Sequence, residues 1–412
     1  MMMHYGPTWR ALRRMIHNFL NIQKSASYVP YQDLESKQLL FELLTQPDNF
    51  LNCLRRYSMS LTTSLVYGFR TVKNDDPRLI ALFALLDHFT ELIQSGAAAV
   101  LEVFPLLRLL PDALSPTKKA ARVAGSREVQ LFGGLWKDVK KAVENGQAKP
   151  CLGADMAKAI EHEGISNDVA AYACGSVLEA GADTTSSTLY GFIQAMIVFP
   201  EVQKQIQKTL DDIIGSDRLP SMDDFAQLPY VRRCVKESTR WLPTAILGFP
   251  HAVMEEDTYM GYRIPKGAGI TTNVYTIHND PKKFPDPARF DPDRFEDDDE
   301  NLFYAATSPE NRGTFTFGAG RRSCQGLHIA ERSLFLGISR ILWAFDILPA
   351  KDADGNDEIP DPSKLTQGFV CMPAPYKAII RPRSAERAAI VREAWEEAQM
   401  DLDPKTKEWV SV

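Results

Sequence analysis

The sequence predicts a mainly α-helical protein with a smaller β region. Residues 8–215 contain a succession of apolar and amphipathic segments at helical spacing. From Pro243 onwards the chain changes to short β-prone runs separated by turn signals such as "MG" and "PKGAG". The chain has 412 residues, 44% of them hydrophobic, which is enough to bury a sizeable core in one large domain or two.

The first half of the chain contains most of the predicted helices. Residues 8–20 are amphipathic and carry arginines at positions 10, 13 and 14. The same periodicity predicts helices at residues 34–44, 50–66, 78–103 and 126–144. We therefore expect a helical body that begins within the first ten residues.

The segment between Ser166 and Pro200 is apolar on nearly all sides, which is typical of a helix that runs through the centre of a protein. Ser166 or Asn167 can cap its start. Pro200 ends this helix and opens another, and residues 230–242 predict one more.

The second half of the chain is less regular. Residues 249–274 predict a small sheet, and residues 279–300, rich in Pro and Asp, predict an ordered but irregular loop that ends in a solvated run, "EDDDE". The end of the chain is charged and helix-prone. We therefore predict a main domain at residues 1–382 and a C-terminal tail at residues 383–412.

Composition argues against several functional classes. Lys and Arg total 47 and Asp and Glu total 53, a formal net charge of −6, whereas nucleic-acid-binding domains usually carry a basic surplus. Six cysteines lie far apart with no CxxC pair, which favours a reducing compartment. No stretch reaches the roughly 18 apolar residues of a spanning helix. We therefore expect no nucleic-acid partner and no membrane span in this chain.

The segment "FGAGRRSCQG", residues 317–326, places one cysteine, Cys324, directly before a predicted helix. The helix N-terminus and the neighbouring Arg321 and Arg322 are expected to lower the pKa of its thiol. The three glycines permit positive φ and let the backbone approach something flat and bulky. A thiolate without a protein partner suggests the ligand of a metal held by a cofactor, for which heme iron is the natural case. The alternative is a buried cysteine in a Gly-rich turn.

These residues resemble the heme-binding signature F-G-x-G-x-R-x-C-x-G of the cytochrome P-450 superfamily, which arises by chance on the order of once in a hundred million starting positions. The resemblance implies the cytochrome P-450 fold around heme b. By this resemblance Cys324 is the axial thiolate ligand, backbone N–H groups hydrogen-bond its sulfur and Phe317 shields it. Gly318 and Gly326 belong to the same heme-contacting loop.

The central segment carries "AGADTT", residues 180–185, which resembles the family's oxygen-activation motif. Small Ala180 and Gly181 are expected to leave room for dioxygen over the heme. Asp183 and Thr184 form an acid–alcohol pair able to relay protons, and Thr184 is also expected to hydrogen-bond the helix backbone. The alternative, a polar turn near solvent, is disfavoured because the motif lies inside an apolar helix.

Three further motifs follow the family order. "ESTR" places Glu237 and Arg240 on one helix face. With Arg294 of "PDRF", the resemblance implies a buried ion network that locks the loop presenting the cysteine, so the loss of one member would be costly. His278 in "YTIHNDP" is expected to be structural.

A second set of residues is implied to bind the heme propionates. Trp9 and Arg13 match the W-x-x-x-R pattern of the family's early helix. Arg322 has the same expected role. His251 lies where the family often has a propionate-contacting Arg or His.

The resemblance implies a heme-thiolate monooxygenase that inserts one oxygen atom from O₂ into a small, apolar organic substrate, such as a secondary metabolite, lipid or xenobiotic. Electrons would come from NADPH through NADPH-cytochrome P-450 reductase. The similarity to fungal, microsomal-type members implies the cytoplasmic face of the endoplasmic reticulum membrane. Residues 173–180, 244–249 and 366–370 are expected to line the substrate pocket.

The front of the chain departs from the family pattern. In the family an anchor, a sheet-bearing segment and a substrate-covering loop precede the helix with Trp9 and Arg13, whereas this sequence begins almost at that helix. We therefore expect an N-terminally truncated fold, and without an anchor the chain can be cytoplasmic. Two alternatives stay open: an inactive or heme-binding-only remnant, and a heme-thiolate enzyme that works without O₂. Asp183 and Thr184 argue against the second.

Overall fold

The computed structural model describes residues 3–94, 100–101, 103–111, 114–296, 314–368 and 370–410. This part of the chain is mainly helical with small sheets, which confirms the predicted fold class. The helices are α1 (Pro7–Leu20), α2 (Ile22–Ala26), α3 (Val29–Thr45), α4 (Phe50–Tyr67), α5 (Pro77–Gln94), α6 (Pro116–Glu144), α7 (Leu152–Glu163), α8 (Asn167–Val198), α9 (Pro200–Ile213), α10 (Pro229–Trp241), α11 (Val274–His278), α12 (Leu327–Ala344) and α13 (Ala385–Ala398). The strands are β1 (His251–Ala252), β2 (Asp257–Tyr259), β3 (Tyr262–Ile264), β4 (Gly269–Ile270), β5 (Phe345–Lys351), β6 (Asp357–Glu358) and β7 (Ala378–Pro382).

Local signals explain most of the helix boundaries. Ser166 caps α8 as predicted, because its Oγ accepts a hydrogen bond from the N–H of Val169 over 3.3 Å. α6 begins at Pro116, earlier than the predicted start at residue 126. The periodicity did not reveal its first turns, because they are polar and lack an apolar stripe. Part of the predicted helix at residues 78–103 and most of the run "EDDDE" lie outside the described residues.

α3, α4, α8 and α12 form the centre of the molecule. Ser58 of α4 donates a hydrogen bond to the carbonyl of Gly181 in α8 over 2.7 Å, and the rings of Phe50 and Tyr190 stack with centroids 5.4 Å apart. Early residues of α4 therefore meet late residues of α8, and the two helices run antiparallel.

The remaining directions follow from polar contacts. Gln32 and Ser36 of α3 contact Ser333 and Arg340 of α12 over 2.8 and 2.7 Å, so α3 and α12 are parallel. A buried ion network shows that α3 and α4 are antiparallel. In it Arg56 of α4 reaches both Glu35 and Glu42 of α3 over 2.6 Å, and Ser60 of α4 donates to Glu35 over 2.7 Å. α3, α8 and α12 therefore share one direction, against α4.

The sheets are small. β1 pairs with β4, and β2 pairs with β3, in two separate antiparallel ladders where the sequence predicted one small sheet. A third antiparallel sheet has the order β6-β5-β7 and follows α12 directly. Its strand β5 buries Phe345 and Ile347 against the helical core.

The C-terminal segment is helical at α13, as the sequence predicts, and packs on α3. Trp395 of α13 lies against Phe41 with ring centroids 6.3 Å apart, and Trp409 meets Tyr31 edge-on at 5.0 Å. The division of the chain after residue 382 stays a prediction. Within the described ranges, no helix combines the length and the apolar character needed to cross a lipid bilayer.

Candidate active site

α8 and α12 touch near their C-terminal halves and leave their N-terminal halves partly accessible. At Gly337 of α12 an added Cβ would lie 3.1 Å from Leu189 of α8. All side chains at residues 186–197 and 333–344 are buried, whereas the preceding turns of α8 and the first turns of α12 contain partly exposed residues. Because the two helices run in the same direction, these accessible halves lie on one side of the contact. From this arrangement we infer a recess between them, next to the loop that carries Cys324.

The cysteine segment folds into a tight loop before α12. Gly318 and Gly320 have φ of 66° and 62°, the left-handed region that favours glycine. The N–H of Cys324 donates to the carbonyl of Phe317 over 2.8 Å and closes the loop. Gly326 does not use this freedom, because it is the N-cap of α12 with φ of −81°. An added Cβ there would lie 3.8 Å from Cys324 Sγ, an ordinary contact distance.

The predicted lowering of the Cys324 pKa is wrong. Cys324 is solvent-exposed, yet desolvation by the surrounding protein raises the pKa of its thiol. The N–H groups of Gly326 and Leu327 and the charge of Arg13 oppose this rise. Arg321 and Arg322 are directed elsewhere: their guanidinium groups lie over the rings of Tyr5 and Trp9, at 5.1 and 4.4 Å.

α1 brings part of the predicted propionate-binding set to this loop. Arg13 donates to the carbonyl of Ser323 over 2.7 Å, and Gln325 donates to the carbonyl of Arg13 over 2.8 Å. These two bonds bracket Cys324, and Arg322 stacks on Trp9 beside them. His251 lies exposed on β1, opposite Ile270, and the described contacts do not join it to this group.

The predicted acid–alcohol pair lies in the part of α8 that borders the recess. Thr184 Oγ1 donates to the carbonyl of Ala180 over 2.7 Å, as expected from the sequence. Asp183 is buried and accepts a hydrogen bond from Ser187 over 3.3 Å. Burial raises the pKa of Asp183, while the positive charge of Arg55 on α4 opposes the rise. Arg55 and Ser187 could not be identified from the sequence, because neither belongs to the motif.

The structure gives a reason of its own for the small residue at position 181. An added Cβ on Gly181 would lie 2.6 Å from Oγ1 of Thr62 on α4. Glycine is therefore needed for the close approach of α4 and α8. The expected role of Ala180 and Gly181 in leaving room for dioxygen stays a prediction.

The predicted ion network of Glu237, Arg240 and Arg294 is present and buried. Arg240 grips the Glu237 carboxylate through Nε and Nη2 at 2.6 and 2.7 Å, and Arg294 Nε lies 3.5 Å from it. Arg240 also donates to the carbonyl of His278 over 2.9 Å, and Arg294 to that of Asp286 over 2.6 Å. The network thus fixes the irregular loop that follows α11.

Two further contacts join this network to the cysteine segment. His278 Nε2 accepts the N–H of Phe315 over 2.8 Å, and burial together with the charge of Arg240 lowers the pKa of His278 to about 3. The imidazole is therefore neutral, with its proton on Nδ1. Thr316 Oγ1 donates to the carbonyl of Thr239 on α10 over 2.7 Å.

The residues around the recess fit a heme. Cys324 has an exposed thiol, and the N–H groups of Gly326 and Leu327 act on its sulfur. Near it, Arg13 and Arg322 supply positive charges and Trp9 supplies an indole ring. In the part of the chain that the structure describes, no group of three or more His, Cys, Asp or Glu could hold a metal ion. A metal at Cys324 therefore needs a ligand frame of its own, which a porphyrin provides.

Comparison with known proteins yields three kinds of match. A family model described as Cytochrome P450 matches residues 1–380. Cytochrome P450 monooxygenase virE of Hypocrea virens (strain Gv29-8 / FGSC 10586) is 45% identical over 100% of this chain and 75% of its own length. Cytochrome P450 monooxygenase fogE of Aspergillus ruber (strain CBS 135680) is 46% identical over 95% of this chain and 73% of its own.

A solved structure supports the fold. A zebra fish cytochrome P450 determined with progesterone superposes with a TM-score of 0.75, covering 92% of this chain and 83% of its own, at 24% identity. At this identity the likeness concerns the fold alone.

Proposed function

Because the chain belongs to the cytochrome P450 family and is a heme-dependent monooxygenase, we propose that it inserts one oxygen atom of O₂ into a mainly apolar secondary metabolite, with Cys324 as the thiolate ligand of heme b. The observation that carries this proposal is the exposed Cys324 thiol in the Gly-rich loop before α12, the helix that packs on α8 at Gly337 and Leu189. Relatives that are fungal monooxygenases support the reaction class.

The chain's own residues bind and orient the cofactor in this proposal. Bound heme supplies oxygen activation, and a thiolate ligand favours cleavage of the O–O bond. Arg13, Arg322, Trp9 and His251 would hold the propionates, and Phe317, Gly318 and Gly326 would belong to the loop that binds the heme. Of these, Arg13 already anchors the loop through Ser323.

Asp183 and Thr184 are proposed to relay protons to the reaction site. Burial raises the pKa of Asp183, so its carboxyl keeps a proton more readily than an exposed aspartate does. The hydroxyl of Thr184 donates to the Ala180 carbonyl, which leaves the lone pairs of Oγ1 free to accept a proton donor from the recess side. The buried network of Glu237, Arg240 and Arg294 holds the cysteine segment in place without touching the reacting atoms.

The electron source and the location are also proposed from family membership. Electrons come from NADPH through NADPH-cytochrome P450 reductase, and the enzyme works at the cytoplasmic face of the endoplasmic reticulum membrane. Val103, Leu106 and Leu109, between α5 and α6, support a membrane contact, because these apolar side chains are 69%, 79% and 80% exposed.

The test is the absorption spectrum of the heme-reconstituted chain, reduced and exposed to carbon monoxide. We expect the long-wavelength Soret band of thiolate ligation, and its loss in Cys324→Ser. Cys371→Ser is the matched control, because the Cys371 thiol already donates to the Gly368 carbonyl and a hydroxyl can replace it. A long-wavelength band that survives Cys324→Ser, or that the parent chain never shows, contradicts the proposal.

A further inference from the structure

His278, the last residue of α11, is a fully buried histidine with a hydrogen-bond partner on one ring nitrogen. Nε2 accepts the backbone N–H of Phe315 over 2.8 Å. Nδ1 is also buried, and it has no partner among the residues that the structure describes. Because Nε2 is the acceptor of a neutral ring, Nδ1 holds the proton and is an unsatisfied donor.

The unsatisfied donor shows what the histidine is needed for. A buried donor without an acceptor is unfavourable, and an apolar side chain of similar size would avoid it. The ring also packs as an apolar side chain could, edge-on to Phe284 with centroids 6.3 Å apart. Packing alone therefore gives no reason for a histidine. What His278 adds at this position is the acceptor for the N–H of Phe315.

The surroundings of His278 keep this acceptor uncharged. Burial, the positive charge of Arg240 and that of Lys283 lower the pKa of His278 to about 3. The lone pair of Nε2 is therefore available to the Phe315 N–H at neutral pH. Arg240 also donates to the His278 carbonyl over 2.9 Å, so it holds the backbone of the same residue.

The bond from Phe315 is the first of three that lead to the cysteine. The Phe315 carbonyl accepts the N–H of Gly318 over 2.9 Å, and the Phe317 carbonyl accepts the N–H of Cys324 over 2.8 Å. The last two are backbone bonds within the tight loop before α12. A shift of Phe315 is therefore passed through the loop to Cys324.

We propose that His278 is a positioning residue for the heme ligand: its Nε2 fixes Phe315 and, through the backbone of the loop, the position of the Cys324 sulfur. The contacts that the structure describes for His278 do not include Cys324, so the effect is indirect. This role goes beyond the structural one that the sequence predicts. The inference rests on the proposed function, because it takes Cys324 as the ligand.

Two amides of different length separate the acceptor from the packing. The amide oxygen can reach the position of Nε2 in His278→Gln, whereas in His278→Asn it reaches only as far as Nδ1. The heme-reconstituted 412-residue chains are reduced and exposed to carbon monoxide, and the ratio of the long-wavelength to the short-wavelength Soret band is measured. We expect this ratio to fall at least about fivefold in His278→Asn, the equivalent of one net hydrogen bond, and to stay within about twofold in His278→Gln.

Gln203→Leu is the matched control for a loss of stability alone. Gln203 of α9 is also buried and also accepts a backbone N–H, that of Ile347 in β5, over 2.7 Å. β5 begins where α12 ends, at the opposite end of this 18-residue helix from Cys324. Gln203→Leu should lower the free energy of unfolding and leave the ratio of the two bands within about twofold.

Each outcome decides for or against the role of His278. A parent-like ratio in His278→Asn, or an equal fall in His278→Gln or Gln203→Leu, overturns the inference. A His278→Asn chain that does not fold also counts against it, because the loss then reaches well beyond the cysteine loop. The long-wavelength band of the parent tests the proposed function separately, so a failure of this inference alone is recognised by an intact parent band.

Discussion

Glu179 and Asp183 are one turn apart on α8, yet their surroundings give them different chemistry. Asp183 has a hydrogen-bond donor in Ser187 and a cation in Arg55, so its charged form is partly compensated. For Glu179, burial and, after it, the negative charge of Glu128 raise the pKa to about 7. The charged form of Asp183 is thus favoured by a donor and a cation, whereas that of Glu179 is disfavoured by a like charge.

The Glu179 environment has a consequence for stability that does not require a substrate. Its pKa is 4.5 in the unfolded chain and about 7 in the folded one, so between these values the unfolded state has already lost a proton that the folded state keeps. The folded parent therefore loses stability relative to Glu179→Gln as the pH rises from 4.5 to about 7, and the difference is constant above.

Urea unfolding of the two proteins at a series of pH values measures this difference. The free energy of unfolding of Glu179→Gln should match that of the parent below pH 4.5 and exceed it at neutral pH. Glu161→Gln should show no such trend, since that side chain is exposed. A difference that does not change with pH would show that Glu179 is not held in an enclosed, like-charged setting.

Individual residues show how much of the candidate site could be predicted from the sequence. Cys324, Asp183 and Thr184 were found because their motifs are contiguous in the chain. Arg55 and Gln325 were not, because they act through contacts between elements that lie far apart in sequence. The pKa of Cys324 was misjudged for a related reason: enclosure by the recess depends on the whole fold, whereas a helix N-terminus is visible locally.

At the scale of helices, glycines set how closely α8 approaches its neighbours. The ring of Phe132 from α6 packs directly against the backbone at Gly175, and Thr62 from α4 packs against Gly181. Leu189 packs in the same way against Gly337 of α12. The helix starts and ends were largely predictable from caps and periodicity, but these contacts were not, because a glycine inside a helix does not indicate which neighbour it admits.

Gly181→Ala tests this role. The new Cβ would lie 2.6 Å from Thr62 Oγ1 and 2.8 Å from Cγ2, so α4 and α8 must move apart. We expect the free energy of unfolding to fall by about 1–3 kcal/mol, which is typical of overpacking. Denaturant unfolding and heme content measure the effect.

A double-mutant cycle separates the clash from other causes. Adding Thr62→Ala to Gly181→Ala should restore part of the lost stability, because it removes both clashing atoms. Gly133→Ala on α6 is the matched control, since nothing lies within 4 Å of its added Cβ, and it should stabilise by roughly 0.5–1 kcal/mol. Strictly additive effects of the two substitutions would argue against the clash.

At the scale of the whole molecule, the C-terminal segment closes over the ion network of α3 and α4. Arg70, whose side chain is fully buried, donates to Glu35 over 2.6 Å and to the carbonyl of Lys407 over 2.8 Å. The Glu408 carboxylate accepts the backbone N–H of Arg70 over 3.1 Å. The end of the chain thus covers charges that α3 and α4 bury between them. The sequence could not predict this, because it showed a charged helix without a partner.

Removal of the C-terminal segment tests whether it belongs to the main domain or is a tail. If it is part of the core, a chain ending at residue 398 should unfold at a lower denaturant concentration, because water then reaches Arg70 and Glu35.

Trp409→Ala should alone lower the free energy of unfolding by about 3 kcal/mol through the lost contact with Tyr31. Val410→Ala, 67% exposed, should cost less than about 0.5 kcal/mol. An unchanged unfolding midpoint in the shortened chain would instead support a domain boundary near residue 382. The loss of stability should extend to heme retention, because α4 also packs on α8 through Ser58.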